Sequence, residues 1–277
     1  MSDRIFITGG ASGLGREIAL RWARTGARVC IGDLNDARGA QVEAEIRQAG
    51  GTGLYVHCDV TRSEDLQAVA QRLVGEWGGI DIVVNNAGVA TAGTVNAEPI
   101  EQWQWILNIN LLGVVRGCQA FAPLLRAQGR GHIVNIASMA GLVHPPGMGS
   151  YNASKAAVVA FSETLFLELA NDNVGVTVVC PSFFQTNLAE SLRTTDPKAA
   201  AGVAKLLSKG RITAAGVADS VFNAVQANQF LVLPHADDRK THLMKRWLPL
   251  RTYLNKMRHL TRKSFPGGRT AAAAKEA

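Results

Sequence analysis

The chain has 277 residues, 29 Lys and Arg against 22 Asp and Glu, a formal net charge of +7 and 47% hydrophobic residues. Only 18% of its residues are charged, below the roughly 25% of an average soluble domain, which excludes a disordered chain and fits one large α/β domain or two small ones. The charge is unevenly placed: residues 1–238 hold 18 basic and 21 acidic side chains and residues 239–263 hold nine basic and none acidic, so nucleic-acid binding is excluded for the body and the basicity belongs to an appendage.

Short β-branched runs alternate with helical patterns along the body. RIFIT (4–8), ARVCIG (27–32), GLYVHC (53–58), IDIVVN (80–85), GHIVNIA (131–137), VGVTVVC (174–180) and FLVL (230–233) read as seven strands. They are continuously apolar, as strands covered on both faces are. Helices are predicted at about 13–25, 35–49, 63–77, 99–128, 150–171 and 216–228, with starts at Asn35 and Ser63 and stops at Gly26 and Gly50. This alternation predicts right-handed crossovers and a doubly wound parallel sheet that binds ligands at the carboxyl ends of its strands. Cys30, Cys58, Cys118 and Cys180 are scattered without C-x-x-C spacing and are expected as buried hydrophobes, neither disulfides nor a metal site. Met1 leads almost directly into a strand, and no run approaches the roughly 18 apolar residues of a spanning helix. A cytoplasmic, reduced protein is expected.

The first strand runs into Thr8-Gly9-Gly10-Ala11-Ser12-Gly13-Leu14-Gly15 and then a helix. Glycines in a strand–turn–helix unit let backbone approach a pyrophosphate, whose charge the helix N-terminus favours. The second strand ends near Asp33, whose carboxylate suits the two hydroxyls of an adenosine ribose and repels a 2′-phosphate. Leu34 follows it and Ser12 precedes the second turn glycine, neither of them basic; Arg16 near the phosphates suits either cofactor. NAD is favoured, with NADP the alternative. Asp59 and Val60 after the third strand, and Asn86-Ala87-Gly88 after the fourth, fall on the same sheet edge. Asp59 is placed to accept from the adenine amino group, and the small Ala87-Gly88 pair allows close backbone approach.

T-G-x-x-x-G-x-G at 8–15, N-N-A-G at 85–88, Ser138 after the fifth strand and Y-x-x-x-K at Tyr151 and Lys155 occur in order, and with them the chain resembles the short-chain dehydrogenase/reductase family over residues 3–233. The resemblance implies a single-domain Rossmann fold, with a doubly wound seven-stranded parallel sheet, helices on both faces and a C-terminal basic helical extension. The domain reading is 1–238 for the dehydrogenase domain, 239–265 for the basic extension and 266–277 for a disordered tail. Tyr151 and Lys155, four apart on a helix, share a face. A free tyrosine has a pKa of about 10, and a nearby ammonium, helped by the positive nicotinamide of bound NAD⁺, is expected to lower it toward proton exchange with an alcohol. Ser138 is placed to hold the substrate oxygen beside Tyr151. By resemblance Lys155 also binds the nicotinamide-ribose hydroxyls, and Asn110, favoured over Asn108 because Leu-x-Gly follows it, supports a water-linked proton relay. After the sixth strand Pro181-Ser182 stands where the family usually has Pro-Gly, and Phe184 and Thr186 are expected at the nicotinamide end.

Met139, Val143, His144, Pro145, Met148, Phe183, Phe184 and Leu188 are the candidates to line a substrate site. They are mostly apolar and lack a clustered Arg, so a hydrophobic secondary alcohol or its ketone is the expected substrate. His144 is either a substrate contact or a structural or solvated loop residue. Residues 187–212 read as a lid. Apolar residues of the helices 99–128 (Trp103, Trp105, Ile106 and Leu107) and 150–171 (Val158, Phe161, Leu165 and Leu169) serve either the monomer core or a homodimer or homotetramer interface. In the basic stretch, Leu243, Met244, Trp247, Leu250, Leu254 and Met257 recur at helical spacing with Pro249 between two helices. That stretch is either a helix docked on the body or a peripheral contact with anionic lipid. Nucleic-acid binding is the least supported use of it. The alternative to an oxidoreductase is a catalytically silent nucleotide-binding protein on the same fold.

Overall fold

The computed structural model describes residues 2–184, 187–194 and 212–262. Seven strands form one sheet in the order β3-β2-β1-β4-β5-β6-β7, and every pairing is parallel. They are β1 (Arg4–Thr8), β2 (Arg28–Asp33), β3 (Thr52–His57), β4 (Ile82–Asn85), β5 (Gly131–Ile136), β6 (Val174–Val179) and β7 (Leu231–Val232). The order reverses beside β1, which lies between β2 and β4, the switch point where ligands of such sheets bind at the carboxyl ends of the strands.

The helices are α1 (Gly13–Ala23), α2 (Asp36–Gln48), α3 (Ser63–Trp77), α4 (Ile100–Asn110), α5 (Leu112–Gln128), α6 (Ala140–Val143), α7 (Gly149–Glu168), α8 (Ala214–Gln226), α9 (Ala236–Trp247) and α10 (Leu250–Thr261). Strand side chains alternate between faces. Ile5 and Ile7 of β1 join Ile18, Trp22, Ile46 and Val217 from α1, α2 and α8, while Phe6 between them joins Leu66, Phe121 and Val158 from α3, α5 and α7. The sheet is thus buried on both sides, which is why its strands read as unbroken apolar runs. All four cysteines are buried and free; burial pushes their thiols up, to about 12 at Cys58, Cys118 and Cys180.

The helix expected over 99–128 is two helices that pivot at Leu111 (φ −105°, ψ −61°). The cause is tertiary: Asn110, fully buried, accepts from Val89 N at 2.8 Å and donates to Val89 O at 3.0 Å, pinning α4 to the loop after β4. Asn35 caps α2 by accepting from Arg38 N at 3.0 Å, whereas Ser63 is the first residue of α3, after an N-cap at Arg62. Ile106, Val158, Leu165 and Leu169 are buried within the chain, so these four belong to the monomer core. The expected boundary at 238/239 falls inside α9, which starts at Ala236, and Pro249 directly precedes α10. The expected tail 266–277, with Ala271–Ala274, lies outside the described residues.

Candidate active site

A cavity of about 840 Å³ opens along the carboxyl ends of the strands. Its first end is built by the turn after β1. Gly9, Ser12, Gly13 and Leu14 line it, and Gly15 stands behind them, where an added Cβ would strike the Gly9 carbonyl oxygen and approach Asn86 Nδ2 at 2.6 Å. Asn86 Nδ2 donates to Thr8 O at 2.9 Å and Gly9 O at 3.1 Å, and Thr8 Oγ1 accepts from Asn86 N and Ala87 N. These bonds lock the β1 turn to the N-N-A-G segment. Thr8 is a site-building residue that the sequence motif contains but that glycine-centred reasoning passes over.

Asp33 closes the same end. Its Oδ2 accepts from Ala11 N at 3.0 Å and its Oδ1 from Asn35 N at 3.1 Å, so the carboxylate is fixed at the cavity edge. Asp59 and Val60 line the wall beside it, and Asp59 Oδ1 accepts from Thr61 N and Thr61 Oγ1. Arg16, expected near the phosphates, is drawn away by Glu45 at 2.6 Å and Glu17 at 2.5 Å. The arrangement fits a dinucleotide: the turn admits backbone only, α1 begins at the cavity with no acidic residue in its first turn, and a fixed carboxylate stands one strand away.

Ser138, Met139, Tyr151 and Lys155 line the other end together with Ala87, Gly88, Pro181, Phe183, Phe184 and Leu188. Ser138 follows β5 and is 8% exposed; Tyr151 and Lys155, one turn apart on α7, are 7% and 5% exposed. Ser138 Oγ accepts from Ala140 N at 3.1 Å and donates toward Pro181 O at 3.4 Å. Lys155 Nζ donates to Ile136 O at 2.9 Å and lies 6.0 Å from the Tyr151 ring centroid. An added Cβ at Gly88 would meet Asn110 Oδ1 at 3.2 Å and Lys155 Nζ at 3.4 Å, so only glycine leaves these two groups room. Asn110 does not reach the cavity; its Nδ2 donates to Ser154 Oγ at 3.2 Å, behind Tyr151. The expected fall in the Tyr151 pKa is absent here: burial raises it, opposed by a hydrogen bond with Ser138, and burial also pushes Lys155 down to about 8. Desolvation outweighs a positive charge held on a backbone carbonyl.

Val143, Pro145 and Met148 complete an apolar wall with Met139, Phe183 and Leu188. His144 is turned out of it: its Nδ1 donates to Ala140 O at 2.9 Å and its Nε2 accepts from Lys245 Nζ at 2.9 Å. Trp105 also lines the cavity and carries the Arg193 guanidinium 3.8 Å from its ring centroid; its spacing on α4 had suggested only an apolar face. Of the proposed lid, Asn187–Ser191 forms a 3-10 turn. Its remainder beyond residue 194, and Thr186, lie outside the described residues except for Ile212.

A parallel sheet with its switch point at β1, a glycine turn, a strand-end carboxylate and a buried Ser–Tyr–Lys set meet along this one cavity. The short chain dehydrogenase family model matches residues 3–197, and the chain belongs to that family. It is 43% identical over 185 residues to the probable oxidoreductase EphD of Mycobacterium tuberculosis, a match covering 66% of this chain and 31% of the relative. The chain therefore spans about a third of that relative's length. It is 36% identical over 188 residues to the cyclopentanol dehydrogenase of Comamonas testosteroni, covering 68% of this chain and 75% of the relative. A solved short-chain dehydrogenase/reductase from Burkholderia phymatum, in complex with NAD, superposes with a TM-score of 0.84 at 32% identity, covering 88% of this chain and 94% of that one.

Proposed function

We propose that the chain interconverts a hydrophobic secondary alcohol and its ketone with NAD, Tyr151 serving as the general acid/base. The observation that carries the reading is the convergence of Tyr151, Ser138 and Lys155 on one wall of a cavity whose opposite wall is apolar. The cyclopentanol dehydrogenase similarity supports a secondary alcohol. Bound NAD supplies the hydride acceptor, and in its reduced form the donor. Ser138 Oγ holds the substrate oxygen, and Tyr151 Oη takes the hydroxyl proton in oxidation and returns it in reduction. Burial keeps Tyr151 a phenol at neutral pH, the form that donates in reduction, so oxidation accelerates as pH rises. Lys155 keeps most of its charge at pH 7 and orients the phenol from the next helical turn. Asn110, behind Gly88, supports the path by which the proton reaches solvent.

NAD is proposed over NADP because Asp33 is fixed at the cavity edge and the nearest guanidinium groups are paired, Arg38 with Glu190 and Arg16 with Glu45. Tighter binding of NADPH than NADH would overturn this. The working form is proposed as a homodimer or homotetramer. The decisive variant is Tyr151→Phe: it is expected to lower the rate on an alcohol the wild type oxidises by about 10²- to 10⁴-fold with NADH affinity unchanged. A wild-type rate would remove Tyr151 from the chemistry, whereas a wild type that oxidises no alcohol in a broad panel would leave the silent nucleotide-binding reading.

A second reading concerns where the enzyme works. Among the described residues no helix is long and apolar enough to cross a membrane. Yet Leu243 (50% exposed), Trp247 (78%), Leu250 (65%) and Leu254 (54%) leave an unpartnered apolar strip on α9 and α10, flanked by exposed Lys240, Arg246, Arg251 and Arg258. Apolar residues edged by positive charge suit the surface of an anionic bilayer. The full chain is expected to sediment with vesicles containing anionic phospholipid and to stay in solution with zwitterionic ones. Equal behaviour with both overturns the reading.

A further inference from the structure

The inner side of the same helix pair carries two polar contacts, those of Lys245 and Tyr253, to one place, the apolar wall of the substrate end. α6 is a single turn whose carbonyls lose helical partners because the chain leaves at His144 with φ +53°, a left-handed conformation costly for a residue other than glycine. Three carbonyls of that turn nevertheless have donors. His144 Nδ1 donates to Ala140 O at 2.9 Å, Lys245 Nζ to Leu142 O, and Tyr253 Oη to Val143 O at 3.2 Å. Lys245 Nζ also donates to His144 Nε2 at 2.9 Å, so both ring nitrogens are engaged and the ring is fixed between Ala140 and Lys245.

Two of the three donors come from residues more than a hundred positions downstream. Tyr253 is 2% exposed and is the buried residue of an otherwise open helix. Lys245 gives up part of its hydration at this contact, and burial lowers its pKa. The residues between and beyond these anchors, Val143, Pro145 and Met148, face the cavity. A shift of the turn therefore moves the wall a bulky alcohol would touch, while the Asp33 end is built by other elements.

We propose that Lys245 and Tyr253 are positioning residues for the substrate wall 139–148, so that the C-terminal helix pair sets how tightly and how selectively the enzyme takes its alcohol. The proposal rests on the reading of the cavity's apolar end as the alcohol site. Neither side chain touches the reacting atoms; each acts through the carbonyls of α6 and through His144.

The test uses the full chain with Lys245→Met, Lys245→Arg and Tyr253→Phe, read by two independent measurements. Amide hydrogen exchange on the ligand-free protein is expected to speed up about tenfold across residues 140–148 in Lys245→Met and Tyr253→Phe, with β1 and α1 unchanged. Steady-state kinetics on a bulky secondary alcohol are expected to show KM raised about fivefold or more, with kcat and NADH affinity within about twofold of wild type. Lys245→Arg, which keeps a cationic donor, is expected to restore both readouts. Unchanged exchange across 140–148 overturns the clamp, as does faster exchange with an unchanged KM or a loss confined to kcat. A wild type that oxidises no alcohol in a broad panel sinks the functional reading instead, and the exchange measurement then still decides the clamp.

Discussion

The body up to β7 and the helix pair that follows it are held by different forces. In the body, side chains from both faces of a parallel sheet interlock with helices: Phe6, Ile31, Phe121 and Val158 are fully buried. In α9 no residue is buried, and in α10 Tyr253 alone is. The pair is attached by directional bonds, from Lys245 and Tyr253 to α6, from Ser182 N to His235 Nδ1 at 3.4 Å, and from Arg239 Nε to Leu233 O at 3.4 Å. Apolar burial gives stability in proportion to area and tolerates small shifts. A few hydrogen bonds add little net stability but fix geometry. The difference teaches that the body determines whether the chain folds, and the appendage determines the shape of one wall of the site.

The largest effect that separates the two regions is a core truncation. Phe6 is fully buried and its ring lies 5.1 Å from that of Phe121. Phe6→Ala is expected to lose about 3–5 kcal/mol by urea denaturation. A loss below about 1 kcal/mol would mean that the body is as loosely packed as the appendage.

A pH titration makes the next cut, and it too resides in the body. His132 of β5 is 7% exposed, and burial pushes its pKa down to about 4. Thr177 Oγ1 donates to Gln229 O at 2.7 Å, so at its 2.7 Å contact with His132 Nε2 it accepts; the ring is neutral and protonated at Nε2. The unfolded chain binds the second proton near pH 6.5 and the folded chain only near pH 4. Stability is therefore full above pH 6.5 and falls as pH drops toward 4, by about 3 kcal/mol for this group. Urea midpoints at pH 7 and 4.5 check it: His132→Gln is expected to lose much less than wild type on acidification.

Much of the body could be read from residues alone because its determinants are local. Continuous apolar runs mark strands covered on both faces, and Tyr151 and Lys155 reveal a shared helical face by spacing. Asp33 stands at the end of a strand, where any ligand of such a sheet must pass. The breaks come from distant partners. Nothing within 99–128 predicts the pivot at Leu111, because its cause is Asn110 bonding to Val89 in the loop after β4. His144 looked available to substrate because Lys245 is 101 residues away. For the tyrosine, spacing places Lys155 near it, but burial, which raises the phenol's pKa in the chain alone, and the Ile136 carbonyl that takes the ammonium are contributions of distant elements.

The smallest expected effect is the one that would most sharpen the contrast. Trp247, the largest side chain type in the protein, is 78% exposed at the end of α9, and Leu250 beyond Pro249 is 65% exposed. In the core such residues would each be worth several kcal/mol. Here they cover little, so Trp247→Ser and Leu250→Ser are each expected to change the urea midpoint by less than the equivalent of about 0.5 kcal/mol. The substitutions lie on the face opposite Lys245, so exchange across residues 140–148 should also stay at the wild-type rate. If either variant unfolds the chain or loosens that segment, the outer face is covered by the protein itself, and the division between a folding body and a shaping appendage fails. If both variants are neutral in solution yet lose sedimentation with anionic vesicles, the helix pair has two separable faces, the inner one directed at substrate and the outer one at lipid.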